Sequence, residues 1–447
     1  MAEYLALLMF AALVPLLFTG FPVAFVLGGV GLAFWGIAVV LGLENGQSFF
    51  LVVSRIFGGV VDKPLLVAVP MFIFMGQMLE KSGVARDLLT MLQRLTRRIP
   101  GGLALSVTLL GTILAATTGI IGASVVMMTL LALPVMLEHG YNRPLATGTI
   151  AASGTLGILL PPSIMLVVMA DLLSVSAGGL FMAAVGPGLL LAALYALYIL
   201  VRTWLNPSLA PSLGDSDAVP ITVAEVTRCL LPPLGLMLAV LGAIFAGFAT
   251  PTEASGIGAF GALLLALFKG RLSFPTLREV VEETALTSAM LFGLFVGATA
   301  FSYVFALLEG HHLILSALEA TGAGPWHLIA VLMLAVFFLG FFFDWIEITL
   351  IILPVFAPVI AGLDFGSHVP AGLVSVWFAI LMAVNLQTSF LTPPFGFALF
   401  YLKGAAPAGV ALTDIYRGIL PFVLLQILGL GAIILWPEIA LWLVPAR

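Results

Sequence analysis

Residues 340–347 read GFFFDWIE, and they lie at the middle of an apolar run that extends from 326 to 360. A helix needs about 20 apolar residues to cross a bilayer. This run is too long for one crossing, and its centre carries a glycine and two acids. It reads as a re-entrant hairpin that enters the membrane and leaves by the same side. A second run, 103–137, has TTGIIGAS at 117–124 in its middle and reads the same way. Non-helical backbone at that depth is tolerated only inside protein or beside water. Both hairpin tips therefore point to a functional centre.

The surrounding composition supplies the solvent. Of the 447 residues, 62% are hydrophobic and 8% charged, against about 25% charged in soluble chains. A soluble fold could not hide that much apolar surface. Lipid is the surrounding medium, and long unbroken apolar runs exclude an outer-membrane barrel. The net charge of −5 names no partner, and no basic stripe suits nucleic acid. One cysteine, Cys229, leaves no internal disulfide or cysteine-cluster metal site. It reads as a packed side chain.

Ten crossings are expected near 4–19, 22–42, 65–80, 145–173, 179–204, 230–249, 253–269, 285–308, 372–403 and 417–443. The fold class is an all-α membrane protein with about ten transmembrane helices plus two re-entrant hairpins in inverted repeats. With both termini outside, thirteen of the sixteen Lys and Arg residues fall on the inner side; Arg55, Lys63 and Arg447 fall outside. That is the bias the positive-inside rule expects. Residues 83–98 read as an amphipathic surface helix with Val84, Leu88, Leu92 and Leu95 on its apolar face; 273–284 resemble it more weakly. Residues 206–220 form a hydrophilic linker.

A weak duplication organises the chain. TLLALPV at 129–135 matches TLIILPV at 349–355, and LLPPS at 159–163 matches LTPPF at 391–395. The expected division is 1–64 as N-terminal scaffold helices, 65–204 as the first repeat, 205–284 as linker and scaffold, and 285–447 as the second repeat. Each repeat holds a hairpin (103–137, 326–360) and a broken helix (145–173, 372–403). Five crossings separate the repeat starts, so the copies are inverted. Inverted repeats with interrupted helices are a common plan of secondary transporters.

Broken helices expose carbonyls, which suit Na⁺, and N–H ends, which suit a carboxylate. Two cation sites are expected, one per copy, drawn from Gly119, Gly122, Ser124, Ser153, Gly157, Asp344, Asn385, Ser389 and Thr392. Substrate is expected between the tips, near Ser124, Thr155, Ser163, Gln387, Thr388 and Thr392. Asp344 is the strongest single residue, because an intramembrane acid is functional by default. Glu347 lies three residues on. Asp171 reads as a solvated acid near a helix end, and Glu253, in TPTEASG at 250–256, as a capping residue. No Lys or Arg lies in either tip or break. The five histidines form no HExxH and there is no Walker loop, so neither metallohydrolase chemistry nor ATP coupling is expected. No enzyme activity and no organic cofactor are expected.

GIIGASVVMMTLLALP at 119–134, GTLGILLPPS at 154–163, TPTEASG, FFDWIEITLIILP at 342–354 and LQTSFLTPPFG at 386–396 together resemble the large membrane subunit of the tripartite ATP-independent periplasmic (TRAP) transporters. The likeness runs over nearly the whole chain. It implies the fold of the wider ion-transporter superfamily and Na⁺-driven, elevator-type import of an organic acid across a bacterial inner membrane. The partners it implies are a separate small membrane (Q) subunit and a periplasmic substrate-binding (P) protein. Its sodium sites fall on Ser124 with the neighbouring glycines, on Asp344, and on the polar residues of 385–392. Trp345, Ile346 and Glu347 depart from the small or proline-containing stretch of many relatives, which implies a divergent substrate pocket. The alternatives are a stand-alone dicarboxylate carrier, a channel and an intramembrane enzyme. A channel needs a continuous water path, and an enzyme needs a catalytic pair that the sequence does not offer.

Overall fold

The computed structural model describes residues 2–118, 121–212, 221–310, 312–314, 316, 324–393 and 396–445, all without strands. Nine of its helical stretches are long and apolar enough to span a bilayer. Large apolar side chains such as Phe25, Trp204, Leu238 and Phe268 point outward. This is an all-α membrane protein.

Helices α1 (Ala2–Leu17), α2 (Val23–Val40), α3 (Ser48–Ile56), α4 (Ala68–Lys81) and α5 (Val84–Thr96) precede the first hairpin. Its arms are α6 (Gly102–Thr118) and α7 (Ile121–Glu138). The first broken helix is α8 (Arg143–Thr155), a 3₁₀ turn at Leu156–Ile158, and α9 (Ile164–Leu172). Then come α10 (Ala177–Leu205), α11 (Val223–Phe245), α12 (Pro251–Phe268) and α13 (Phe274–Leu307). The second hairpin is α14 (Pro325–Leu339) and α15 (Trp345–Ala361). The second broken helix is α16 (Val374–Leu391) and α17 (Phe397–Ala405), followed by α18 (Leu412–Leu435) and a short α19 (Glu438–Leu441).

Eight of the nine spans coincide with expected crossings. The ninth is α7, an arm of the first hairpin. The expected crossing at 4–19 is the 16-residue α1, short of a full span, and that at 145–173 is split into α8 and α9. Helix α3 matches none of the expected crossings, because its nine residues are too short for a periodic pattern. Residues 273–284 are not a separate surface helix. They continue into the next crossing as the 34-residue α13, about 51 Å at about 1.5 Å per residue. Its first turns carry Arg278, Glu279, Glu282 and Glu283, and beyond them the helix is apolar. A polar start changed the hydropathy without breaking the helix. In α5 the residues Val84, Leu88 and Leu92 are buried as expected, but Leu95 is 44% exposed and Ala85, Leu89 and Met91 take the inner face instead.

The packing is reciprocal. Helices α4 and α13, which head the two expected repeats, pack on each other. Arm α7 packs on α17, the second half of the other copy's broken helix, and arm α15 packs on α9, its counterpart. Likewise α8 packs on α18, and α16 on α10. The centre belongs to α8 and α16: every residue of Leu145–Thr155 is buried, and so is every residue of α16 except Ser375. A helix apolar around its whole circumference has to be surrounded by protein or lipid, and here it is protein. Where α8 crosses α18, a Cβ on Gly148 would strike the Gly418 carbonyl and one on Gly418 would strike that of Pro144. Small residues let the two backbones touch.

Basic residues counted on one side cluster in space. Lys81 bonds Glu279 at 2.6 Å and Glu283 at 3.0 Å. Lys269 and Arg271 both reach Asp87, at 2.7 and 3.3 Å, and Arg94 reaches Glu225 at 3.3 Å. At the other end of the Pro64–Lys81 span, Lys63 pairs with Asp171 at 2.9 Å. Asp171 is thus not a solvated acid: its side chain is 9% exposed and held by an ion pair.

Candidate functional site

The two breaks meet at the centre of the molecule. Helix α8 ends at Thr155 because its chain tightens into a 3₁₀ turn and then enters Pro161 and Pro162, which cannot continue the helical ladder. Ser163 precedes α9, and its hydroxyl donates across the break to the Ile158 carbonyl at 2.6 Å. Helix α16 ends at Leu391, before the second Pro pair. Gln387, in its last turn, donates from Nε2 to Thr155 Oγ1 at 3.3 Å. Its carbonyl oxygen, Oε1, is buried with no hydrogen-bond partner. Burying such an acceptor unpaired costs about 1–3 kcal/mol.

Further hydroxyls lie beside the two breaks along the chain. Thr388 donates to the Val384 carbonyl at 2.9 Å, Ser389 to Leu386 at 2.8 Å, and Thr392 to Thr388 at 2.8 Å. Thr155 donates to Ala152 at 2.9 Å. Each hydroxyl gives its proton to its own helix, so its lone pairs face away from that bond. That is the polarity a cation ligand needs, and an all-oxygen donor set suits a hard cation.

The same two positions tie each broken helix to its own hairpin. Ser153 Oγ donates to Thr108 Oγ1 on α6 at 3.2 Å. Asn385 Nδ2 donates to the Met333 carbonyl on α14 at 2.6 Å. Neither Thr108 nor Met333 was singled out in the sequence, because a hydroxyl and a backbone carbonyl inside regular helices leave no pattern. Gly157 lies buried in the 3₁₀ turn of the first break.

The hairpin tips differ from each other. Asp344 is the N-cap of α15: Oδ1 accepts the Trp345 N–H at 2.7 Å, and its own N–H donates to Glu347 Oε2 at 3.2 Å, closing a capping box. Glu347 therefore sits at the tip with its carboxylate turned back on the cap. The same device occurs at Thr250 and Glu253, as read from TPTEASG. Ser124, aligned with Asp344, lies one turn inside α7 and is buried. Gly119 lies outside the described residues. Gly122 packs so closely on α17 that a Cβ there would come 2.8 Å from Tyr401 Cζ. Tyr401 is also within electrostatic reach of Asp344 and Glu347. One side chain thus packs on one tip and lies within electrostatic reach of the other, a role no local motif announced.

This geometry, two broken helices meeting among buried oxygens in a chain with nine helices long enough to span a bilayer, fits a membrane transporter. Residues 10–439 match the family model described as the DctM component of the tripartite ATP-independent periplasmic transporters. The chain belongs to that family, whose members are transporter components and not enzymes. It is 31% identical over 379 residues to the C4-dicarboxylate TRAP transporter large permease protein DctM of Pseudomonas aeruginosa, covering 84% of this chain and 85% of that one. It is 29% identical over 439 residues to the ectoine TRAP transporter large permease protein TeaC of Halomonas elongata, 98% of each chain. The crystal structure of the Alcanivorax borkumensis YdaH transporter shares its fold, with a TM-score of 0.63 at 15% identity over 99% of this chain and 100% of that one.

Proposed function

We propose that this chain is the large membrane subunit of an importer that takes up an organic acid against its gradient by coupling it to Na⁺. The observation that carries the reading is the orphaned carbonyl of Gln387 beside Thr155, where the two breaks meet. A buried acceptor with no donor is relieved by a cation. The fit is to Na⁺: apart from Asp344 every candidate ligand is a hydroxyl, amide or backbone oxygen, and Asp344 and Glu347 close a capping box. Asp344 would add net charge to the second cation site, Ser124 and Ser153 oxygens to the first.

The two hairpins are re-entrant, from opposite faces, and move with the broken helices as one body against α1–α5 and α11–α13 in an elevator motion. The reciprocal contacts α7–α17 and α15–α9 support this, because they lock each hairpin to the other copy's broken helix. Both termini face the periplasm, and a small membrane subunit and a periplasmic binding protein complete the system. The substrate's carboxylate sits between the tips beside Tyr401, held by helix ends and hydroxyls.

The test is uptake into proteoliposomes holding this chain and its small subunit, with binding protein outside. Labelled C4-dicarboxylate and ectoine are supplied with and without an inward Na⁺ gradient. Accumulation that needs both Na⁺ and binding protein is expected. Uptake independent of Na⁺ would overturn the coupling, and uptake without binding protein would favour the stand-alone carrier.

A further inference from the structure

Away from the breaks, a cavity of about 760 Å³ opens between α3 and α13 on one wall and α9 and α15 on the other. Its wall carries Arg55, Lys63, Asp171, Thr299, Ser302 and Tyr303. Arg55 forms no ion pair among the described residues, while Lys63 is held by Asp171 at 2.9 Å. The Ser302 hydroxyl is buried without a partner. Tyr303 donates weakly, at 3.4 Å, to the Ser48 carbonyl. Glu44 and Arg55 both lie within electrostatic reach of Tyr303, but Glu44 is not part of the cavity wall. The lining therefore holds two cations, one carboxylate and four hydroxyls, counting Ser54, with the Arg55 guanidinium in no ion pair among the described residues. No Lys or Arg lies at the hairpin tips or breaks.

We propose that this cavity is a separate organic-anion subsite, in which Arg55 takes a carboxylate and the Ser302 and Thr299 hydroxyls orient it. The cavity holds a small organic acid with room for water. A planar guanidinium matches a carboxylate in two-point geometry. The Lys63–Asp171 pair joins the segment between α3 and α4 to the end of α9, so it ties the α3 side of the cavity to the α9 side. An anion bound beside it competes with Asp171 for Lys63 and loosens that tie. The subsite thus loads substrate and, in the same event, frees the wall built from α9 and α15. This step rests on reading the chain as a carboxylate importer; the charge of the cavity does not.

The test uses the full chain with Cys229→Ser and a reporter, Ala306→Cys, on the cavity wall, with Gly58→Cys as a second reporter. Labelling rates are compared for sulfonatoethyl and trimethylammonioethyl methanethiosulfonate, each normalised to its rate with free 2-mercaptoethanol. The anionic reagent is expected to be favoured about tenfold, and Arg55→Gln is expected to abolish the preference while Arg55→Lys keeps it. Succinate at millimolar concentration is expected to slow the labelling, and less so in Arg55→Gln. Equal rates for the two reagents, or a preference that survives Arg55→Gln, would overturn the proposal. Anion preference without carboxylate uptake in liposomes would instead leave the subsite standing and remove the import reading.

Discussion

Gln387 donates a 3.3 Å hydrogen bond to Thr155, and the two residues are 232 positions apart. That is the offset that lays LTPPF at 391–395 over LLPPS at 159–163. Residues in equivalent positions of two copies touch each other only on the axis that relates the copies. The same offset carries Ser153 onto Asn385, and each of these bonds the first arm of its own hairpin. On the expected duplication, this contact puts the centre of the molecule on the axis relating the two repeats. The place where Thr and Gln replace each other is where the two halves become chemically unequal.

Gln387→Leu separates function from stability. It removes a buried acceptor that has no partner, so thermal unfolding without Na⁺ should be unchanged or raised, by up to about 1–3 kcal/mol in stability. Na⁺-dependent uptake should be lost. A lower unfolding midpoint together with intact uptake would make Gln387 a structural residue.

Asp344→Asn tests charge against capping. Asparagine caps a helix as well as aspartate does, whereas Asp344→Ala costs about 1 kcal/mol. The Asn variant should insert and fold normally but need at least tenfold more Na⁺ for half-maximal uptake. The Ala variant should show the same loss with a lower unfolding midpoint. Wild-type Na⁺ response in Asp344→Asn would leave Asp344 as a cap alone.

Gly122→Ala pushes a methyl against the Tyr401 ring. Uptake should fall with the fold retained, and the double variant Gly122→Ala/Tyr401→Leu should recover part of it. A double-mutant cycle reads this coupling directly, because residues in contact depart from additivity by about 0.5–3 kcal/mol. Additive effects would mean the hairpin and α17 do not act together.

Gly148→Val should lower the unfolding midpoint, because the crossing of α8 and α18 leaves no room for a side chain; overpacking costs about 1–3 kcal/mol. Gly235→Ala on α11, where a methyl meets nothing within 4 Å, is the control. It should raise helix stability by about 0.8–1 kcal/mol.

Much of this architecture was legible because lipid imposes length. Runs near 20 residues announce crossings, and runs of 35 announce breaks. The Pro pairs at 161–162 and 393–394 mark where ladders stop, since proline carries no N–H. What was hidden depends on contacts across the chain. The join of 273–284 to the following crossing could not be seen, because a charged turn lowers hydropathy without ending a helix. Asp171 looked solvated until Lys63, 108 positions away, closed on it. Tyr401 was unremarkable in sequence and became central only when Gly122 left it room. The capping box at Asp344 and Glu347 has the acidic spacing of a local helix start.

The inverted arrangement is tested most directly by the sidedness of the hairpin ends. Single cysteines in a Cys229→Ser chain, Ile99→Cys and His139→Cys for the first hairpin and Trp326→Cys and Gly362→Cys for the second, are labelled with a membrane-impermeant maleimide in right-side-out and inverted vesicles. The first pair should react only from the cytoplasmic face and the second only from the periplasmic face. All four reacting from one face, or either pair split between faces, would contradict the account.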